Sequence, residues 1–147
     1  MSYRKRSIKT SIEFLLQHFP AVVILGARQV GKSTLTQQVL PNATFFDLER
    51  DRDYQRINDD PALLLQEINP PIVFDEAQLS PQLFSSLRVA IDQNRDQPGQ
   101  FLLSGSSSPE LLKNVSETLA GRVAIVQLDP FDWHEIDGQH LVSYWKP

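Results

Sequence analysis

The chain predicts an α/β fold in which a parallel sheet of five strands carries helices on both faces. Strand-like and helix-like segments alternate along the sequence. The strand-like runs are continuously apolar, as in strands buried on both faces. Gly26 and Gly31, followed by Lys32 and Ser33, fit G-x-x-x-x-G-K-[ST] between a predicted strand and a predicted helix.

Ile8, Ile12, Leu15, Leu16 and Phe19 recur at helical spacing up to Pro20. This amphipathic helix either packs beside a bound base or serves only to pack. Ala21 to Leu25 is the first strand. Ser33 to Leu40 lacks Gly and Pro, sets Leu35, Val39 and Leu40 on one face, and stops at Pro41. Ala43 to Leu48 reads as a second strand. The charge-rich stretch from Glu49 to Asp60 holds a short helix and a loop at Pro61. Ala62 to Ile68 is another short helix, closed by Pro70 and Pro71.

Ile72 to Asp75 is the third strand. Pro81 suits a first helical turn, and Leu83, Phe84, Leu87, Val89, Ala90 and Ile91 follow the helical period. Pro98 and Gly99 turn the chain into a fourth strand, Gln100 to Ser104. A small-residue loop leads to a helix from Pro109 with Leu111, Leu112, Val115 and Leu119, capped by Gly121. Val123 to Leu128 is the fifth strand.

The chain has 147 residues, suited to about one domain, with 41% hydrophobic and 22% charged residues. Without cysteine, disulfides and thiolate metal sites are excluded. His18, His134 and His140 show no metal-ligand spacing. A net charge of −4 argues against direct nucleic-acid binding, and Arg4-Lys5-Arg6 reads as a solvated end. No apolar run approaches the roughly 20 residues that span a bilayer. No signal-peptide core is present, so the cytoplasm is the expected location.

In such a sheet, ligands bind at the carboxyl ends of the strands. The glycine motif there is a phosphate-binding loop. Gly26 permits the turn, Gly31 lets the backbone approach phosphate oxygens, and the amides of the loop face an anion. Gly26, Ala27, Arg28, Gln29, Val30, Gly31, Lys32, Ser33 and Thr34 are the expected nucleotide-binding residues. Lys32 adds charge at the β- and γ-phosphates, and Ser33 offers a hard oxygen to Mg²⁺. Arg28 either touches phosphate or caps a carboxylate.

Asp75 and Glu76 end an apolar strand in the Walker B pattern. Asp75 is the second Mg²⁺ ligand, beside Ser33, and Glu76 the carboxylate that takes a proton from an attacking water. Ser104 and Ser106 flank Gly105. Either their hydroxyls reach the γ-phosphate or water, or they are ordinary turn residues, with Ser104 ahead of Ser106. Arg122 either pairs with carboxylates or stabilises charge on a neighbour's nucleotide. No N-K-x-D reads guanine, so adenine is expected.

GARQVGKS, IVFDEAQ, FLLSGSSS and LAGRVAIVQLDPFDWHEI together resemble a family of prokaryotic AAA-type ATPases, whose motifs read G-x-R-Q-V-G-K-T and D-E-x-Q. The resemblance runs from about Ile8 to Ile136. It implies an AAA+-like core with strand order 5-1-4-3-2, using ATP and Mg²⁺. It places Lys32, Glu76, Ser104 (as sensor 1) and Arg122 (as arginine finger) in catalysis. It also implies a homo-oligomer, with the ATPase core over residues 1–136. The tail, 137–147, begins a further segment or meets a partner protein, and its apolar run from Leu141 to Trp145 is expected to pack on something outside this chain. No sensor-2 arginine follows Arg122. The competing functions are a nucleotide-binding switch that barely hydrolyses and, less favoured, a P-loop kinase, which would need an arginine-rich lid.

Overall fold

Alternation of apolar side chains along each strand decides which helices cover which face. The computed structural model describes residues 2–27, 31–128 and 141–144, with side chains described for 8–27 and 31–128. In chain order the elements are α1 (Ser2–Leu16), β1 (Ala21–Gly26), α2 (Lys32–Val39), β2 (Thr44–Asp47), α3 (Asp51–Asp59) and α4 (Pro61–Glu67). There follow β3 (Ile72–Asp75), a 3₁₀ turn (Ala77–Leu79), α5 (Leu83–Gln93), β4 (Phe101–Gly105), α6 (Pro109–Thr118), β5 (Val123–Leu128) and β6 (Leu141–Tyr144).

The sheet order is β2-β3-β4-β1-β5-β6. The first five of these strands pair in parallel, in the order expected for an AAA+-like core. β6 is an addition: the tail, expected to pack outside this chain, pairs antiparallel to β5 from Ala124↔Tyr144 to Gln127↔Leu141. Without it the outer backbone groups of β5 would lack ladder partners.

Val22 and Ile24 of β1, Val73 of β3, Leu102 of β4, and Ala124 and Val126 of β5 face one side. There they meet Ile8, Ile12, Leu15 and Leu16 of α1 and Leu35 and Val39 of α2. This favours the plain packing role for α1, which stops at Leu16, while Phe19 closes the following turn through its amide to the Leu15 carbonyl at 2.8 Å. The alternate strand residues, including Val23, Leu25, Phe74, Phe101 and Leu103, face the other side. They pack on α3 to α6 through Ile57, Leu64, Leu83, Phe84, Leu87, Ile91, Leu111 and Val115. Both faces of the central strands are therefore dry, which is why their sequences are unbroken apolar runs.

Two details depart from the periodic reading. Val89 of α5 and Leu112 of α6 are 57% and 38% exposed. Each lies off the stripe set by the buried residues of its own helix. Gly121 is not the residue that caps α6, which is Leu119. It lies two positions further on, with φ 78°, in the turn entering β5.

Register aligns the strand ends that matter. Ala21 to Leu25 pair with Phe101 to Gly105, Leu25 beside Gly105. Ile72 to Phe74 pair with Phe101 to Leu103, which sets Asp75 level with Ser104. Phe74 anchors this region between Phe46 and Phe101, with ring centroids 5.7 and 6.3 Å away. Truncating a buried phenylalanine costs about 3–5 kcal/mol, so Phe74→Ala should lower the unfolding free energy by about that amount. Urea denaturation followed by circular dichroism measures it.

Candidate nucleotide-binding site

The site forms where β1, β3 and β4 end together. β1 runs out at Gly26, and Gly31 turns the chain into α2 with φ 83° and ψ 28°. A side chain disfavours that left-handed conformation. A β-carbon on Gly31 would meet nothing within 4 Å, so the reason for glycine is conformational freedom and an open backbone rather than a crowded pocket. Arg28, Gln29 and Val30, expected in the loop, lie outside the described residues. Ala27, Ser33 and Thr34 are exposed at the mouth, Ser33 and Thr34 in the first turn of α2.

Lys32 is only 2% exposed. Its Nζ donates to the carbonyls of Gly26 and Ala27, both at 2.9 Å, and so folds the ammonium back across the start of the loop. A buried ammonium needs such partners, because desolvation without them is costly.

Asp75 is the node of the site. The residue is 4% exposed, and its Oδ2 accepts from Ser33 Oγ at 2.6 Å. Its Oδ1 accepts from Ser104 Oγ. One carboxylate thus ties the helix after the loop to the ends of β3 and β4. Ser104 is wholly buried; Ser106 is part-exposed in the loop beyond β4. Thr36 Oγ1 donates to the Ser33 carbonyl at 2.8 Å and tightens the first turn of α2.

Glu76 follows Asp75 but points elsewhere, because its backbone is left-handed at φ 59° and ψ 51°. Non-glycine residues in this region are uncommon and cluster at active sites. Its carboxylate, in a residue 7% exposed, accepts at Oε1 from Gln78 Nε2 at 2.8 Å. The motif D-E-x-Q contained Gln78, but nothing in the spacing said that it would fold back onto Glu76.

Ser33 and Asp75 fit a hard cation. Mg²⁺ prefers a few protein oxygens completed by water and phosphate, and a hydroxyl and a carboxylate already in contact supply the protein share. Among the described residues no group of three or more His, Cys, Asp or Glu could hold a metal. A phosphate-assisted cation does not need one.

Arg122 stands apart. It precedes β5, and the phosphate loop lies at the other end of that strand, where Leu128 pairs with Gly26. Its guanidinium donates from Nε and Nη2 to Asp92 Oδ1 and Oδ2 at 2.8 and 2.9 Å, and from Nη1 to the Ala120 carbonyl at 2.9 Å. The two-pronged bond, chiefly, pulls the Asp92 carboxyl below its ordinary range. Asp92, on the rim of α5, carried no sequence signal.

A buried P-loop lysine, a serine–aspartate pair and a parallel sheet in the order β2-β3-β4-β1-β5 define a P-loop nucleotide-binding core of the ATPase kind. The AAA-domain family matches residues 18–137, and the chain belongs to it. Uncharacterized proteins of Mycobacterium tuberculosis and Mycobacterium bovis are each 36% identical over 148 aligned positions, covering 99% of this chain and 33% of the relative. The chain thus spans about a third of the length of these curated relatives. In fold it is similar to a Walker-type ATPase of Pyrococcus abyssi, with a TM-score of 0.52 and 20% identity over 88% of this chain and 53% of that one. Among the described residues no helix is long and apolar enough to cross a membrane.

The Arg122–Asp92 pair gives a pH test. Its contribution to stability is full above the ordinary aspartate pKa of 3.8 and is lost as pH falls through the lowered folded-state value. Asp92→Asn should therefore lower Tm at pH 7, and its difference from wild type should shrink below pH 3.8. Thermal melts across the acid range test this.

Proposed function

We propose that this core binds MgATP and hydrolyses it by attack of a water on the γ-phosphate. The bond between Ser33 and Asp75 carries the reading, since it places a hydroxyl and a carboxylate together beside the phosphate loop. AAA-domain membership supports it.

The loop amides and the N-terminus of α2 receive the β- and γ-phosphates. Lys32 exchanges the carbonyls of Gly26 and Ala27 for phosphate oxygens. Ser33 and Asp75 would hold Mg²⁺, which when bound neutralises charge on the β- and γ-oxygens. Ser104 Oγ, donating to Asp75 Oδ1, holds that carboxylate in place. The water oxygen bonds to the γ-phosphorus while the bridge to the β-phosphate breaks. Glu76 takes the water's proton, and ADP and phosphate leave. The missing guanine-reading motif supports adenine.

The Asp92 pair supports a structural role for Arg122, one of the two roles its sequence position allows. Action on nucleotide would have to be on another copy of the chain and would require that pair to open. A homo-oligomer in which this happens would show activity per molecule rising with concentration.

Lys32→Ala should reduce affinity for a fluorescent ATP analogue with Mg²⁺ by at least tenfold, roughly 1.4 kcal/mol; equal affinities would sink the phosphate-loop assignment. Glu76→Gln should keep nucleotide affinity while phosphate release falls roughly 10²-fold, the weight of a general base. Binding without phosphate release in wild type would instead mark a nucleotide-dependent switch.

A further inference from the structure

The carboxamide of Gln78 meets Glu76 and the end of β4, and the Ser33–Asp75 pair does not use it. The left-handed backbone of Glu76 starts a 3₁₀ turn over Ala77–Leu79, and that turn carries Gln78 back beside Glu76. Gln78 Nε2 donates to Glu76 Oε1 at 2.8 Å. A carboxylate only accepts, so the amide nitrogen must face it and the amide oxygen must face away. That oxygen, Oε1, is buried and has no hydrogen-bond partner among the described residues.

Gly105 makes room for this arrangement. A β-carbon there would come within 2.5 Å of Gln78 Oε1 and 2.6 Å of Leu111 Cδ2. β4 therefore drops its side chain next to Ser104, where the carboxamide lies. A buried acceptor without a donor is costly, because it has given up its hydrogen bonds to water. Turning the amide over would satisfy nothing, because it would set two oxygens against each other. The acceptor is thus held in place without a donor from any described residue.

We propose that Gln78 is a positioning residue for the attacking water, a role that rests on the hydrolysis reading above. Glu76 accepts one hydrogen of the water and Gln78 Oε1 accepts the other. A water with both hydrogens so engaged turns a lone pair toward the γ-phosphorus. The proton lost on attack goes to Glu76; Gln78 exchanges none and serves only to orient. The bond that Gln78 Nε2 donates to Glu76 Oε1 also fixes the Glu76 carboxylate, leaving Glu76 Oε2 for the water.

Gln78→Met keeps the length of the side chain and removes both donor and acceptor. In the full-length protein it should leave the affinity for MgATPγS and the KM for ATP within about twofold, while kcat falls by roughly tenfold or more, as misorientation of a reacting group does. Affinity for ADP–aluminium fluoride, which copies the phosphoryl group under attack, should fall by the same factor as kcat. Gln78→Ala, which only removes atoms, serves if the thioether does not fit between Gly105 and Leu111, and Tm shows whether each variant is folded. Wild-type kcat in a folded variant overturns the inference and leaves the hydrolysis reading standing. Equal losses of MgATPγS and ADP–aluminium fluoride affinity overturn it too, because they mark a purely structural residue. A wild type that binds MgATP and releases no phosphate overturns both.

Discussion

The carboxylate of Asp75 is the constraint on which the site depends. It is nearly dry, and it accepts hydroxyl bonds from Ser33 on α2 and Ser104 on β4. A buried carboxylate without donors would be strongly disfavoured, so these bonds are conditions of its burial. They also fix distances. The phosphate loop cannot drift from β3, nor β3 from β4, without stripping a charge of its partners. The ends of two strands, β3 and β4, and the start of one helix are held as a unit by hydrogen bonds to one carboxylate as well as by packing.

That unit sits on a sheet dry on both sides. α1 and α2 cover one face and α3 to α6 the other. Because side chains alternate along a strand, Asp75 and Ser104 emerge on the face of α1 and α2, beside Ser33. Gly105, one residue on, faces Leu111 of α6 and Gln78. The groups proposed to hold phosphate and cation thus come to the strand ends from one face and those proposed to handle water from the other, so that the two sets meet beyond the carboxyl ends of β3 and β4. The left-handed backbone of Glu76 is the crossing point between them.

Much of this was legible in the sequence because it depends on local patterns. Unbroken apolar runs reveal strands buried on both faces, and Gly26 and Gly31 reveal where β1 ends and where the chain turns into α2. The pairing of Ser33 with Asp75 follows from motif order. What stayed hidden depends on encounters between distant residues or on backbone choices that side-chain identity does not force. Glu76 has no compositional reason to be left-handed. Arg122 finds Asp92 thirty residues away, on a helix whose rim looked like ordinary solvated surface. Val89 fits a helical period yet faces water, because periodicity counts apolar residues without weighing which arc the sheet covers. The tail's apolar run was visible, but not that β5 offered it an open edge.

Under the proposed binding and hydrolysis of nucleotide, the inward fold of Lys32 has a consequence for turnover. Its ammonium rests on the carbonyls of Gly26 and Ala27, so any phosphate entering the loop must win it from acceptors already in place. Affinity is then a difference between two solvated states of one cation, far smaller than the bare attraction between the charges. The same acceptors receive the ammonium when the phosphate departs. Emptying the loop leaves no stranded charge behind, which favours release of spent ligand over its retention as a dead-end complex.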